Sequence, residues 1–115
     1  TKMEEPFNFN NKTFTLIDNS HLGKSNTNTK FEYKQDGDMV TADYYGGLIK
    51  YGKIIAHLKA DKLHMLYQCI TTNNELKAGK AIANISLTQN NKIKLKLNWE
   101  WLEGDEKGVA EYIEN

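Results

Sequence analysis

Turn signals cut this chain at short intervals, and the segments between them have the length and residue types of β-strands. Asp36-Gly37 divides Thr29–Gln35 from Asp38–Tyr44, and Asp-Gly tolerates the positive φ angles of a two-residue hairpin turn. Gly46-Gly47 leads into Leu48–Leu58, Ala60-Asp61 divides that segment from Lys62–Thr71, and Asn73-Asn74 opens Glu75–Leu87. Asn90-Asn91 precedes Lys92–Leu102, and the polar loop Glu103-Gly104-Asp105-Glu106 precedes Lys107–Glu114. With Lys12–Asp18 at the front, the spacing predicts about eight strands, the pattern of a sandwich or barrel.

Alternation then says how the strands are used. In Lys92–Trp101, Ile93, Leu95, Leu97, Trp99 and Trp101 point one way, while Lys92, Lys94, Lys96, Asn98 and Glu100 point the other. Phe31 and Tyr33 against Lys30, Glu32 and Lys34 repeat the pattern. One-sided strands joined by hairpins make an antiparallel sheet, and closing it removes its exposed edges. The expected fold is therefore all-β: a single antiparallel up-and-down barrel over 1–115, with an open sandwich as the alternative. Residues 1–10 read as an arm or short helix, and 19–28 as a loop rich in Ser, Asn and Thr. A barrel of eight strands encloses either packed side chains or one small ligand.

Fifteen basic residues balance fifteen acidic ones, and every basic one is Lys. Such a chain lacks the electrostatic footprint of a nucleic-acid binder, and the guanidinium fork that grips phosphate and carboxylate is missing. The Lys row of 92, 94 and 96 also lies on the face opposite the Trp residues, whereas single-stranded nucleic acid needs charge and aromatics together. No apolar run approaches membrane-spanning length and nothing near residue 1 reads as a signal peptide, so neither membrane nor nucleic-acid partners are expected and the location expected is cytoplasmic. Cys69 is the single cysteine and lies in an apolar segment, as a small hydrophobe does.

Candidate site residues follow from the alternation. Tyr33, Tyr44, Tyr67, Trp99 and Trp101 each offer an apolar body with a polar handle, the residue type that lines a binding mouth or fills a core. Trp101, ending its strand, is the one expected at a rim. In 75–87, Leu76, Ala78 and Ile82 suggest an inward face that carries Lys80. In 107–114, Val109 and Ile113 suggest an inward face that carries Glu111, a desolvated carboxylate able to bind a ligand or move a proton. The opposite register puts Ala110 and Tyr112 inside and Glu111 in solvent. Both parities of 62–71 carry apolar residues, Leu63, Met65 and Tyr67 against Leu66 and Ile70.

His21, His57 and His64 share no metal-ligand spacing, so no metal is expected, although 57 and 64 approach each other across the Ala60-Asp61 turn. No glycine loop opens a helix to cradle phosphate and no nucleophile elbow is present, so no cofactor is expected.

Several stretches resemble a family of short bacterial proteins of about this length: Asn11-Lys12-Thr13-Phe14, Phe31 to Gly37, Tyr45-Gly46-Gly47 with Gly52, Tyr67-Gln68, Glu75-Leu76 with Gly79-Lys80, and Trp99 to Trp101 with Gly104-Asp105. Members often carry the label N-acetylglutamate synthase. The strand pattern also looks like the calycin superfold of avidins, lipocalins and fatty-acid-binding proteins, so the resemblance implies a meander barrel. The enzyme label is disfavoured, because the chain has no Arg to hold glutamate carboxylates and no [RQ]xxGx[GA] loop opening a helix. The reading that follows is a non-enzymatic binding module for a small apolar or aromatic ligand. The alternatives are an interaction protein acting as a homodimer, with Leu66, Ile70 or Leu102 exposed, and a small enzyme using Glu111.

Overall fold

The computed structural model describes residues 7–19 and 28–115, with the side chains of 18 and 19 left aside. Eight strands run in chain order: β1 (Lys12–Asn19), β2 (Lys30–Asp36), β3 (Met39–Gly46), β4 (Ile49–Lys59), β5 (Lys62–Thr71), β6 (Leu76–Leu87), β7 (Ile93–Trp101) and β8 (Lys107–Glu114). Each pairs antiparallel with its neighbours in sequence, and β1 pairs with β8 to close the barrel. The sandwich alternative is excluded. The predicted turns are also in place. Gly37, Gly47, Asn74 and Asn91 all take the left-handed φ that their turns require. Ala60, at φ 55°, is the exception, since its Cβ makes that region cost about 1–2 kcal/mol.

Parity along each strand follows the alternation for β2, β3 and β7, where Phe31, Tyr33, Val40, Ala42, Tyr44 and the five apolar residues Ile93 to Trp101 are buried. β5 turns Leu63, Met65 and Cys69 inward and leaves Leu66 exposed.

One parity corrects the sequence reading, and a second decides between the two registers it left open. The inward residues of β6 are Gly79, Ala81, Ala83 and Ile85, so Lys80 and Ile82 face outward. Hydrophobicity pointed the wrong way because this wall must be thin. A Cβ added to Gly79 would lie 2.5 Å from both the Glu100 carbonyl oxygen and the Tyr67 hydroxyl. In β8, Ala110 and Tyr112 are buried and Val109 is exposed, so Glu111 faces outward. It sits 3.4 Å from Lys94 on the surface of β7.

The N-terminal segment is an arm without helix over 7–11, and it closes one end of the barrel. Phe9 is fully buried and stacks on Phe14 with centroids 5.8 Å apart, and on Tyr33 at 5.5 Å. Its backbone N–H donates to Gln35 Oε1 at 2.8 Å, and Asn11 N–H donates to the Tyr33 carbonyl at 3.0 Å. The β2–β3, β4–β5 and β6–β7 turns share this plugged end. The opposite end carries the β3–β4, β5–β6 and β7–β8 connections and, among the described residues, no comparable aromatic plug. The loop expected over 19–28 lies between β1 and β2, and its residues 20–27 are outside the described residues.

Candidate functional site

The unplugged half of the barrel is lined by aromatic side chains set across glycine notches. Tyr44 on β3 pairs with Gly52 on β4, which pairs with Cys69 on β5. Lacking a side chain, Gly52 lets the Tyr44 ring lie across it, since a Cβ there would meet the ring at 2.2 Å. The Tyr44 hydroxyl thereby reaches β5 and donates to the Gln68 carbonyl at 3.3 Å. Two strands on, the device repeats. Tyr67 on β5 lies across Gly79 on β6, and its hydroxyl donates to the Glu100 carbonyl on β7 at 3.2 Å.

The remaining rings fill in around these two. Phe31 stacks on Tyr44 at 4.9 Å and meets Tyr112 edge-on at 4.7 Å. Trp101 takes Tyr67 edge-on at 5.7 Å and tilts against Trp99 at 5.9 Å. Such pairs contribute about 0.5–1.5 kcal/mol each beyond their buried area.

Burial makes this interior neutral. It raises the phenols of Tyr33, Tyr44 and Tyr67 well above the usual tyrosine range, with Tyr112 adding to the rise at each. Cys69 adds to the rise at Tyr44 and Tyr67, and bonds the Tyr44 hydroxyl. Among the described residues no Asp, Glu, Lys or His is buried; the buried polar residues apart from tyrosine and tryptophan are Thr29 and Thr71. Thr29 Oγ1 donates to the Gly46 carbonyl, and Thr71 Oγ1 accepts from Glu75 N–H.

One buried donor is left over. Trp101 is 8% exposed, and among the described residues its indole Nε1–H has no acceptor. A buried N–H without a partner costs about 1–3 kcal/mol. Lys77, on the inward parity of β6, lies over the same indole with its ammonium 4.9 Å from the ring centroid. Trp101 also borders a hollow of about 350 Å³ against the β7–β8 loop, shared with Glu100, Gly104, Asp105, Glu106 and Lys107.

The predicted residues therefore separate into three places. Tyr44, Tyr67, Trp99 and Trp101 come together in the unplugged half. Tyr33 is interior, but it packs with Phe9 and Phe14 at the plugged end rather than at a mouth. Lys80 and Glu111 are on the outer surface, Lys80 paired with Glu100 at 3.2 Å, so neither reaches the interior and they do not meet. That removes the ground for Glu111 as a buried acid–base group. Sequence reasoning missed Tyr112, Cys69 and Lys77 as contributors. Tyr112 was visible in the second register of β8, whereas Lys77 carried no signal beyond sharing parity with Gly79.

Outside the barrel, His57 and His64 stand directly opposite each other, and His57 Nε2 lies 2.8 Å from Asp38 Oδ2. That hydrogen bond holds the Asp38 carboxyl below its ordinary range. No group of three His, Cys, Asp or Glu among the described residues is arranged to hold a metal ion. A groove of about 780 Å³ crosses the outer face of β5–β8, with Leu66, Ile82 and Val109 among its apolar lining and Lys80, Glu100 and Lys107 along it.

Comparison with protein families matches the chain, over residues 7–115, to the model described as avidin-like protein. Comparison with curated proteins and with solved structures gave no match.

Proposed function

Because the chain belongs to the avidin-like protein family, with the closed eight-strand meander that goes with it, we propose that it is a small-molecule binding module. Its ligand is apolar or aromatic, and it enters the unplugged half of the barrel. One observation carries this reading: the polar and aromatic side chains of that half converge on a neutral interior that, among the described residues, retains a donor without an acceptor, Trp101 Nε1–H. A core selected for packing alone has no use for an unmet buried polar group. The neutral wall of Tyr44, Tyr67, Cys69, Trp99 and Tyr112 favours an uncharged ligand body, since a buried charge would find no partner there.

Titration with a panel of small aromatic and apolar compounds, biotin among them, tests the proposal. The readout is the fluorescence of Trp99 and Trp101. Saturable change with at least one compound, reduced about tenfold or more in affinity by Trp101→Ala, is the expected result. A flat response across the panel, together with a native mass spectrum free of any carried ligand, refutes it.

A second reading concerns assembly. The outer faces of β4, β5 and β6 expose Tyr51, Ile55, Leu66, Leu76 and Ile82. Ile55 stands directly opposite Leu66 at 60% and 64% exposure. We propose that this face pairs with a second copy of the chain, as a homodimer whose barrels remain accessible from their unplugged ends. Sedimentation across a concentration series is the test.

A further inference from the structure

On the outside of the barrel, register brings three metal-ligating side chains into one row across β3, β4 and β5. Met39 pairs directly with His57, and His57 pairs directly with His64. All three are exposed and on the outward parity of their strands. Residues directly opposite on antiparallel strands have Cβ atoms about 4.5–5.5 Å apart, so each imidazole has the next ligating atom within side-chain reach. The third member is a thioether, a ligand type outside the His, Cys, Asp and Glu groups that hold harder ions. Asp38 supports the row from behind. Its carboxylate only accepts, so His57 Nε2, 2.8 Å from Asp38 Oδ2, carries the proton and the neutral ring keeps its lone pair on Nδ1. A carboxylate orients metal-ligating histidines in just this way. Ile55 and Leu66, one step along the same face, are apolar. Lys59 and Lys62, one step the other way, are offset in charge by Asp36, Asp38 and Asp61 around the same turns.

We propose that Met39, His57 and His64 form a surface site for cuprous copper, with Asp38 as the residue that positions His57. The donor set selects the ion. Imidazole suits both zinc and copper, but a thioether is a soft ligand that favours copper in its reduced state. Structural zinc takes four ligands in a closed tetrahedron, more than the row supplies, and cupric copper prefers a tetragonal set of nitrogen and oxygen. His57 binds through Nδ1, the nitrogen that Asp38 leaves open, and Met39 and His64 bind from the strands on either side. No ligand of the row carries a charge, and the apolar pair of Ile55 and Leu66 beside it suits a soft, singly charged ion. The chain's remaining described soft donors, Met65 and Cys69, are buried inside the barrel and do not compete. Binding is coordination alone: copper enters and leaves as the cuprous ion, with no electron transferred. The site is independent of whatever the barrel interior holds.

Competition for cuprous ion against the coloured chelator bicinchoninate, under argon with ascorbate, reads this directly. The wild-type protein is expected to withdraw copper to a stoichiometry of about one per chain. His57→Gln combined with His64→Gln abolishes the withdrawal, and Met39→Leu, nearly equal in volume, weakens it about tenfold or more while leaving zinc binding within about twofold. Asp38→Ala weakens it about tenfold, and Asp38→Asn, which still accepts from the imidazole, restores it to within about threefold. These positions are exposed, so each variant is expected to melt within about 0.5 kcal/mol of wild type in stability. Cuprous copper is diamagnetic, so the wild-type protein gives a second readout. In ¹³C-methyl-methionine spectra the Met39 signal, assigned by its loss in Met39→Leu, moves on adding copper while that of the buried Met65 stays. No withdrawal of copper, withdrawal that survives loss of both histidines, an unmoved Met39 signal, or equal affinity in Met39→Leu overturns the proposal.

Discussion

Tyr44 and Tyr67 show how much a single residue can do when its neighbour has no side chain. Each ring spans the strand beside it and ends in a hydrogen bond two strands away, so each ties three strands together from the inside. Glycine weakens a strand through entropy and lost packing; here the same glycines, Gly52 and Gly79, are what lets the rings lie flat against the wall. The cost of burying phenols appears as a dependence on alkali. Tyr33, Tyr44 and Tyr67 hold their protons well above the usual range in the folded chain, whereas the unfolded chain releases them near pH 10. Above that pH the unfolded state binds fewer protons than the native state, so stability falls as pH rises. Stability from these groups is complete below pH about 10 and is lost progressively above it. Thermal melting as a function of pH is expected to show a steep fall beginning there, with part of the phenolate absorbance appearing only as the protein unfolds. Smooth ionisation of all six tyrosines near pH 10 without loss of structure would contradict this.

At the scale of strands, the sequence was most legible where both faces of a strand differ sharply. β7, with apolar residues and Lys or Asn in strict alternation, was read correctly at every position, as were Phe31 and Tyr33 on β2. β6 was not, and β8 stayed open between two registers, for a physical reason. Several of their inward residues are small, Gly79, Ala81, Ala83 and Ala110, and at Gly79 the Tyr67 ring occupies the space a side chain would take. Their outward faces carry Leu76, Ile82 and Val109, so a reading by hydrophobicity turns β6 over, taking Lys80 inside, and leaves β8 undecided between Glu111 inside and Glu111 in solvent. The candidate site was accordingly half legible: the aromatic members were visible, and the polar ones were displaced by one residue of parity. The N-terminal arm is an element of the same kind, invisible as secondary structure yet decisive for access. Phe9→Ala is expected to lower stability by about 3–5 kcal/mol, because the cavity opens between Phe14 and Tyr33 at the end of the core. Ligand affinity at the other end should stay within about twofold. Urea unfolding measures the first quantity and titration the second. A variant as stable as wild type would mean that the plug contributes nothing.

For the whole molecule, turn spacing and alternation were sufficient to name a closed meander, since strands joined by short hairpins leave little choice of neighbour. Closure itself was inferred from the need to remove edges, and the β1–β8 pairing carries it out. The outer face was the less predictable part. Leu66 and Leu102 are exposed as expected, and Ile70 is half-buried. An apolar stripe on β4–β6 calls for a partner. Sedimentation is expected to show a dimer that Leu66→Lys converts to monomer, with thermal stability at high dilution changed by no more than about 0.5 kcal/mol. A wild-type protein that remains monomeric at every concentration would remove the assembly reading and leave ligand binding untouched.

The arm and the last residue lie at the same end of the barrel. Asn115 N–H donates to the Thr13 carbonyl, beside the strand that follows Phe9. Both ends of the described chain therefore leave the barrel on its plugged side, pointing away from the Trp101 rim. A tether, a carrier surface or a fused polypeptide attached after Asn115 would hold the barrel from this side, with the Trp101 end turned away from the attachment.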